Sequence, residues 1–149
     1  RPKILASDIS EKVLAVARGG VYDEHKMAGV PQDYRKKYFI KLPGGTYRVR
    51  PEVQQMISFR NVNLRGEFPR FVRPLDIIFC RNVIIYFDVA AKKKVVESFY
   101  QVLRDAGFLL LGHSESLMNV STLFTLRHFK NDMVYQKPAG CLRASVGPA

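Results

Sequence analysis

Two short apolar runs and the helix between them constrain this chain more than any other feature. Leu75 to Cys80 (Leu-Asp-Ile-Ile-Phe-Cys) and Phe108 to Leu111 (Phe-Leu-Leu-Leu) lack the polar alternation of a half-exposed strand. Such runs are what parallel strands covered on both faces require. Between them Asp88 is placed to cap a helix whose Val95, Val96, Phe99, Val102 and Leu103 fall on one stripe, and Gly107 is predicted to end it. Strand, helix and strand in this order describe a parallel α/β unit.

The flanking segments extend that unit. Residues 3–7 read as a strand ending at Asp8, and Ser10 as the cap of an amphipathic helix through Val13, Leu14 and Ala17 that stops at Gly19-Gly20. Tyr22 to Val30 is predicted to be irregular, and Pro31 to open a short helix from Gln32 to Tyr38. Tyr38 to Leu42 and Thr46 to Arg50 then form a strand pair turned through Pro43-Gly44-Gly45, with Tyr47 and Val49 on an apolar face and Arg48 and Arg50 together on a cationic one. Met56 to Val62 is a further strand, and Leu123 to Phe129 with Met133 to Gln136 a closing hairpin turned at Asn131-Asp132. The expected fold class is α/β: a mostly parallel sheet with an antiparallel edge over residues 1–137, a small basic β-hairpin insert at 38–50, and a disordered tail at 138–149.

Charge narrows the partners. Of 149 residues, 24 are Lys or Arg and 13 are Asp or Glu, a net charge of +11. Ten cations lie between Arg35 and Arg73, among them Arg60, Arg65 and Arg70, with only Glu52 and Glu67 to offset them. Such a face draws an anionic partner, whether nucleic acid, anionic lipid or an acidic protein surface, or else only keeps the domain solvated. Two cysteines cannot build a disulfide framework, so Cys80 and Cys141 read as reduced thiols of a cytoplasmic protein. No apolar stretch approaches the roughly 18 residues that span a bilayer, and neither membrane insertion nor secretion is expected.

In open α/β sheets ligands gather beyond the carboxyl ends of the strands, which here are Asp8, Asn63-Leu64, Arg81-Asn82 and Gly112-His113-Ser114. A carboxylate in Asp8's place suits two vicinal ribose hydroxyls, and it equally suits a helix cap. Asn63 and Asn82 suit an adenine edge or a turn bonding its own backbone.

At residues 75–88, Leu-Asp-Ile-Ile-Phe-Cys-Arg-Asn-Val-Ile-Ile-Tyr-Phe-Asp resembles the signature of the chemotaxis receptor glutamate O-methyltransferases, the CheR family. Gly-His-Ser-Glu-Ser-Leu (112–117), Ala-Ser-Asp-Ile-Ser (6–10), Ala-Arg-Gly-Gly-Val-Tyr (17–22), Tyr-Arg-Val-Arg-Pro-Glu-Val (47–53) and Asn-Val-Asn-Leu (61–64) are similar to further blocks of that family, in order and in spacing. The resemblance covers about residues 3–137. It implies a Rossmann-like sheet that binds S-adenosyl-L-methionine and passes its methyl to glutamate side chains of chemoreceptors, leaving glutamyl methyl esters and S-adenosylhomocysteine. It also implies that Asp8 holds the ribose, that Asn63 and Leu64 flank the adenine, that Arg81 and Asn82 line the cofactor pocket, and that Tyr86 lies near the transferred methyl. The partner would be an acidic receptor helix bundle, docked through Arg48 and Arg50, and no metal enters the chemistry.

Members of that family normally carry an N-terminal helical domain, then a first strand and a Gly-rich loop that cradles the methionine part of the cofactor. None of these precedes Arg1, so the chain is expected to be a C-terminal fragment. The absent strand would lie between those ending at Asp8 and Cys80, leaving two unpaired inner edges that favour a strand-exchanged dimer and weak cofactor binding. The alternative function is a non-catalytic receptor-docking module that keeps the basic hairpin. A hydrolase fits less well: Gly112-His113-Ser114-Glu115-Ser116 ends in Ser where a nucleophile elbow needs Gly, and His128 precedes Asp132. A nucleic-acid methyltransferase would carry Asn-Pro-Pro-Tyr or a catalytic Cys where this chain has Arg81-Asn82-Val83, so no nucleic-acid partner is expected.

Overall fold

A computed structural model describes residues 2–69, 74–130 and 132–140. Arg70, Arg73, Cys141, the Asn131 half of the expected turn, and the tail from 141 onward lie outside them. The chain divides into two compact units between Asn63 and Leu64.

In the first unit, strand β1 (Ile4–Asp8) leads into helix α1 (Glu11–Gly19). Ser10 Oγ accepts the Val13 N–H at 3.3 Å, and Gly20, at φ 60°, closes the helix by donating to the carbonyls of Val16 and Ala17. Only a residue tolerant of the left-handed region terminates a helix this way without strain, and both ends follow the sequence. The span read as irregular is instead ordered. It holds a short strand β2 (Val21–Tyr22) and helix α2 (Glu24–Met27), whose first turn is capped by Asp23 Oδ1 accepting the Lys26 N–H at 2.9 Å. Helix α3 (Gln32–Tyr38) follows Pro31 as expected, and strands β3 (Phe39–Lys41) and β4 (Tyr47–Val49) pair antiparallel. The pair gains β2 as a third strand, in the order β2-β4-β3. Arg35 ties the helices to it, donating to the carbonyls of Met27 and Val30 and pairing with Glu24, whose other oxygen accepts the Tyr47 hydroxyl at 2.8 Å. These bonds from Tyr47 and Arg35 outweigh a slight burial and hold the Glu24 carboxyl below its ordinary value. After helix α4 (Pro51–Gln54), strand β5 (Ile57–Asn61) pairs parallel with β1 in the register Ile4↔Ile57 through Asp8↔Asn61.

The second unit carries strand β6 (Leu75–Cys80), a 3₁₀ turn (Ile84–Tyr86), helix α5 (Val89–Val102), and strands β7 (Leu103–Leu111), β8 (Thr125–His128) and β9 (Met133–Gln136). The sheet order is β6-β7-β9-β8, with β6 and β7 parallel and β9 antiparallel to both its neighbours. Parallel strands with the expected antiparallel edge are therefore present, but among the described residues the parallel pairs β1–β5 and β6–β7 belong to different sheets where one mostly parallel sheet was expected. Asp88 Oδ1 caps α5 by accepting the Ala91 N–H at 2.8 Å, and Val95, Val96 and Phe99 bury their side chains against Ile78, Cys80 and Leu109.

Two expectations fail here for definable reasons. Helix α5 stops at Val102 rather than Gly107, because Lys137 Nζ comes in to accept the role of a C-terminal cap, donating to the carbonyls of Tyr100 (2.9 Å) and Leu103 (2.8 Å). Leu103 then pairs with Leu75, and the chain bends at Ala106, φ 62°, within β7. Gly107 is needed for close approach instead of termination: a Cβ there would stand 2.8 Å from the Arg104 carbonyl and 3.0 Å from that of Asp76. Strand β6 is also covered on one face only. Ile78 and Cys80 are buried, while Ile77 and Phe79 on the opposite face are 49% and 70% exposed. Each of β1 and β6 has a single strand neighbour among the described residues, and no helix there is long and apolar enough to cross a membrane.

Candidate functional site

The residues singled out from sequence sit where the parallel strands end. In the first unit Asp8 closes β1, half-buried, and its Oδ1 accepts the Ser10 N–H at 2.8 Å. One oxygen helps turn the chain into α1, as the capping reading expects, and the other has no partner among the described residues. Asn61, opposite Asp8 in register, donates its amide to the Ile9 carbonyl at 2.9 Å and fixes the same turn from the neighbouring strand. Asn63 lies two residues past the end of β5 and is exposed.

In the second unit Leu64 packs half-buried against the core. Arg81, Asn82 and Tyr86 lie on the loop just beyond β6, all exposed, with Tyr86 at 80%. Asn82 has φ 59°, a left-handed conformation that Asn tolerates better than most residues. The exposure of these side chains contrasts with the fixity of their backbone. The Glu115 carboxylate, 9% exposed, accepts four backbone N–H groups: Asn82 and Gly112 on Oε2, each at 2.7 Å, and Val83 and Ile85 on Oε1, at 3.0 and 3.2 Å. Burial pushes this carboxyl up, but the four N–H donors together outweigh it and hold it below its ordinary value. Glu115 was not among the candidates read from sequence. Its spacing offered only half a signal: its own N–H donates to the Gly112 carbonyl at 3.0 Å while its side chain returns to the Gly112 N–H, the acid's half of a capping box, with no side chain on Gly112 to complete it.

Beneath the loop, Cys80 is buried, and desolvation, with the Glu115 charge adding to it, pushes its thiol up to about 12. It is a core residue, as its apolar run implied.

In the basic segment Arg48 lies on β4 and is exposed, whereas Arg50 lies beyond the strand as the residue preceding α4. The two do not share a strand face. The Arg50 guanidinium reaches back to the Lys36 carbonyl at 3.4 Å, at the end of α3, and its Nε is buried without a hydrogen-bond partner among the described residues.

Comparison with known proteins agrees with this architecture. Over 138 residues the chain is 36% identical to chemotaxis protein methyltransferase 2 of Vibrio cholerae, covering 91% of this chain and 48% of that protein. It is 36% identical over 130 residues to the chemotaxis protein methyltransferase of Escherichia coli K12, covering 85% and 46%. A probable chemotaxis protein methyltransferase of Rhizobium etli is 40% identical over 116 residues, covering 76% and 43%. The chain thus spans about half the length of these curated relatives. Among solved structures it matches TrmN from Thermus thermophilus with a TM-score of 0.52 and 17% identity, over 90% of this chain and 35% of that one. It also matches a possible exported protein from Bordetella parapertussis with a TM-score of 0.57 and 14% identity, over 92% and 54%. Both likenesses concern the fold alone. The family model of the CheR methyltransferase SAM-binding domain matches residues 1–133, and the chain belongs to that family.

Proposed function

We propose that the full-length protein containing this chain transfers the methyl group of S-adenosylmethionine to glutamate carboxylates of chemotaxis receptors, forming glutamyl methyl esters and S-adenosylhomocysteine. The observation that carries this reading is the loop beyond β6, where Arg81, Asn82 and Tyr86 project into solvent from a backbone tied down by Glu115.

The donor set fits the cofactor. A carboxylate fixed through one oxygen, as Asp8 is by Ser10, keeps its other oxygen for the hydroxyls of a ribose. By the family resemblance, Asn63 and Leu64 would meet the adenine, Arg81 and Asn82 would meet the cofactor, and Tyr86 would lie near the transferred methyl. When bound, the cofactor supplies a methyl already activated by the sulfonium. An ionised carboxylate is a nucleophile at neutral pH, so no general base is asked of this chain. Its residues align the two groups and exclude water, effects that supply several kcal/mol of barrier reduction, about 7 in well-oriented cases. Arg48, on the small three-stranded sheet, draws the acidic flank of the receptor bundle.

The test uses the full-length protein, receptor-bearing membranes and cofactor labelled in its methyl group. Label released by alkali as methanol identifies the ester. Alkali-stable label, or label in nucleic acid, would sink the proposal, and membrane binding without label transfer would leave only a docking role.

A further inference from the structure

We infer that Glu115 is a positioning residue of this site, setting the geometry of the Arg81–Tyr86 loop without touching substrate or cofactor. The inference rests on the methyltransferase reading for what the loop does, and on the structure for how it is held.

A carboxylate is an expensive way to fill a buried position, since a charge withdrawn from water must be matched by partners. Glu115 forms no ion pair among the described residues. Its charge is matched instead by backbone dipoles converging as in an anion-binding nest, with a protein side chain in the place of the anion. Three of the four donors belong to Asn82, Val83 and Ile85, interleaved with the three side chains proposed to meet the cofactor and substrate. The fourth, Gly112, anchors the carboxylate to the loop after β7. One side chain therefore joins the carboxyl ends of two neighbouring parallel strands, and its removal would free the donors on both sides at once.

The surroundings leave it little latitude. A Cβ on Gly112 would stand 2.8 Å from Glu115 Oε2, 3.0 Å from the Asn82 nitrogen and 3.1 Å from Asn82 Oδ1. The Gly112 turn, the left-handed Asn82 and the carboxylate thus occupy one closely packed space. Arg81 and Tyr86 are exposed while the loop backbone is held from inside, so displacement of Glu115 moves the site more than it moves the core.

The experiment compares Glu115→Gln and Glu115→Asp in the full-length protein with Val96→Ala, a buried α5 substitution in the same core that removes none of the hydrogen bonds holding the loop. Glutamine keeps the volume but offers one acceptor oxygen and turns an NH₂ toward N–H donors; aspartate keeps the charge one methylene short. Hydrogen exchange read by mass spectrometry over peptides 81–86 and 112–117 is expected to accelerate in Glu115→Gln and much less in Val96→Ala. Dissociation constants for S-adenosylmethionine and S-adenosylhomocysteine are expected to rise about tenfold or more in Glu115→Gln, with Val96→Ala staying within about twofold even where it melts as early. Glu115→Asp is expected to recover part of both. Unchanged exchange in the two peptides, or cofactor loss no greater than that of Val96→Ala, would overturn the inference and leave Glu115 a stabilising residue only. If the wild-type protein binds no cofactor, the transferase reading fails, and the exchange measurement still decides whether Glu115 holds the loop.

Discussion

Asp8 has a structural role that its substitution would also remove. Its Oδ1 is occupied by the turn into α1, so Asp8→Ala in the full-length protein is expected to cost some local order and, more sharply, cofactor affinity. The loss should be about 1.5 to 3 kcal/mol, the range for a hydrogen bond to a charged group. Calorimetric titration with S-adenosylhomocysteine checks this, and an unchanged dissociation constant would reduce Asp8 to a turn residue. Glu115 carries a pH signature of definite sign. Its folded-state value lies below the ordinary 4.5, so the folded protein binds the proton less readily than the unfolded chain. The corresponding stability is complete above that ordinary value and is lost as pH falls through the folded one. Urea midpoints measured from neutral pH down to acid should therefore fall more steeply for the wild type than for Glu115→Gln; parallel curves would contradict the assignment. Cys80, buried and with its thiol pushed up to about 12, should resist iodoacetamide at pH 8 until the protein is unfolded, as mapped on the Cys80 peptide.

Among the elements, α5 owes its boundaries to two different kinds of information. Its start lies in the sequence, where Asp88 precedes an apolar stripe, and Asp88→Ala is expected to lower stability by about 1 kcal/mol. The ion pair of Asp88 with Arg65 adds little, because at 3.8 Å both groups are largely exposed. Its end is set by Lys137, 35 positions beyond Val102, which no local pattern announces. The small sheet behaves similarly. The Pro43-Gly44-Gly45 turn, with Gly44 and Gly45 at φ 86° and 78°, made β3 and β4 legible. Their partner β2 is two residues long, too short for any alternation to show. Arg48 and Arg50 separate at this scale. Arg48→Glu is expected to slow receptor methylation most at low ionic strength, with cofactor affinity intact. Arg50→Ala should act mainly on stability, by about 1 kcal/mol through the end of α3. Equal salt-dependent effects of the two substitutions would refute that division.

For this chain as a whole, the parallel strands β1 and β6 each have a single strand neighbour among the described residues, and β6 leaves Ile77 and Phe79 exposed. Unpaired edges beside exposed apolar side chains template pairing with another chain. The 149-residue chain is therefore expected to associate in a concentration-dependent way, and Phe79→Lys to reduce that association; light scattering over a dilution series checks both. A strictly monomeric chain at high concentration would show that these edges are not sticky.

Local and periodic information determined much of this protein. Unbroken apolar runs, alternation, the 3.6-residue stripe, capping residues and glycine turns located α1, α3, α5, β1 and each strand from β3 onward, because they are short-range energies written in neighbouring residues. The strand-end rule also brought Asp8, Asn63, Arg81 and Asn82 forward as candidates. Tertiary structure decided what depends on residues distant along the chain. The contact of Lys137 with α5 set the end of that helix, the pairing of β2 completed the small sheet, and the burial of a carboxylate at 115 within reach of Asn82, Val83 and Ile85 fixed the loop at the candidate site. A lone glutamate reads as a surface residue until the fold desolvates it and surrounds it with N–H groups, and that desolvation is a property of packing, not of any segment by itself.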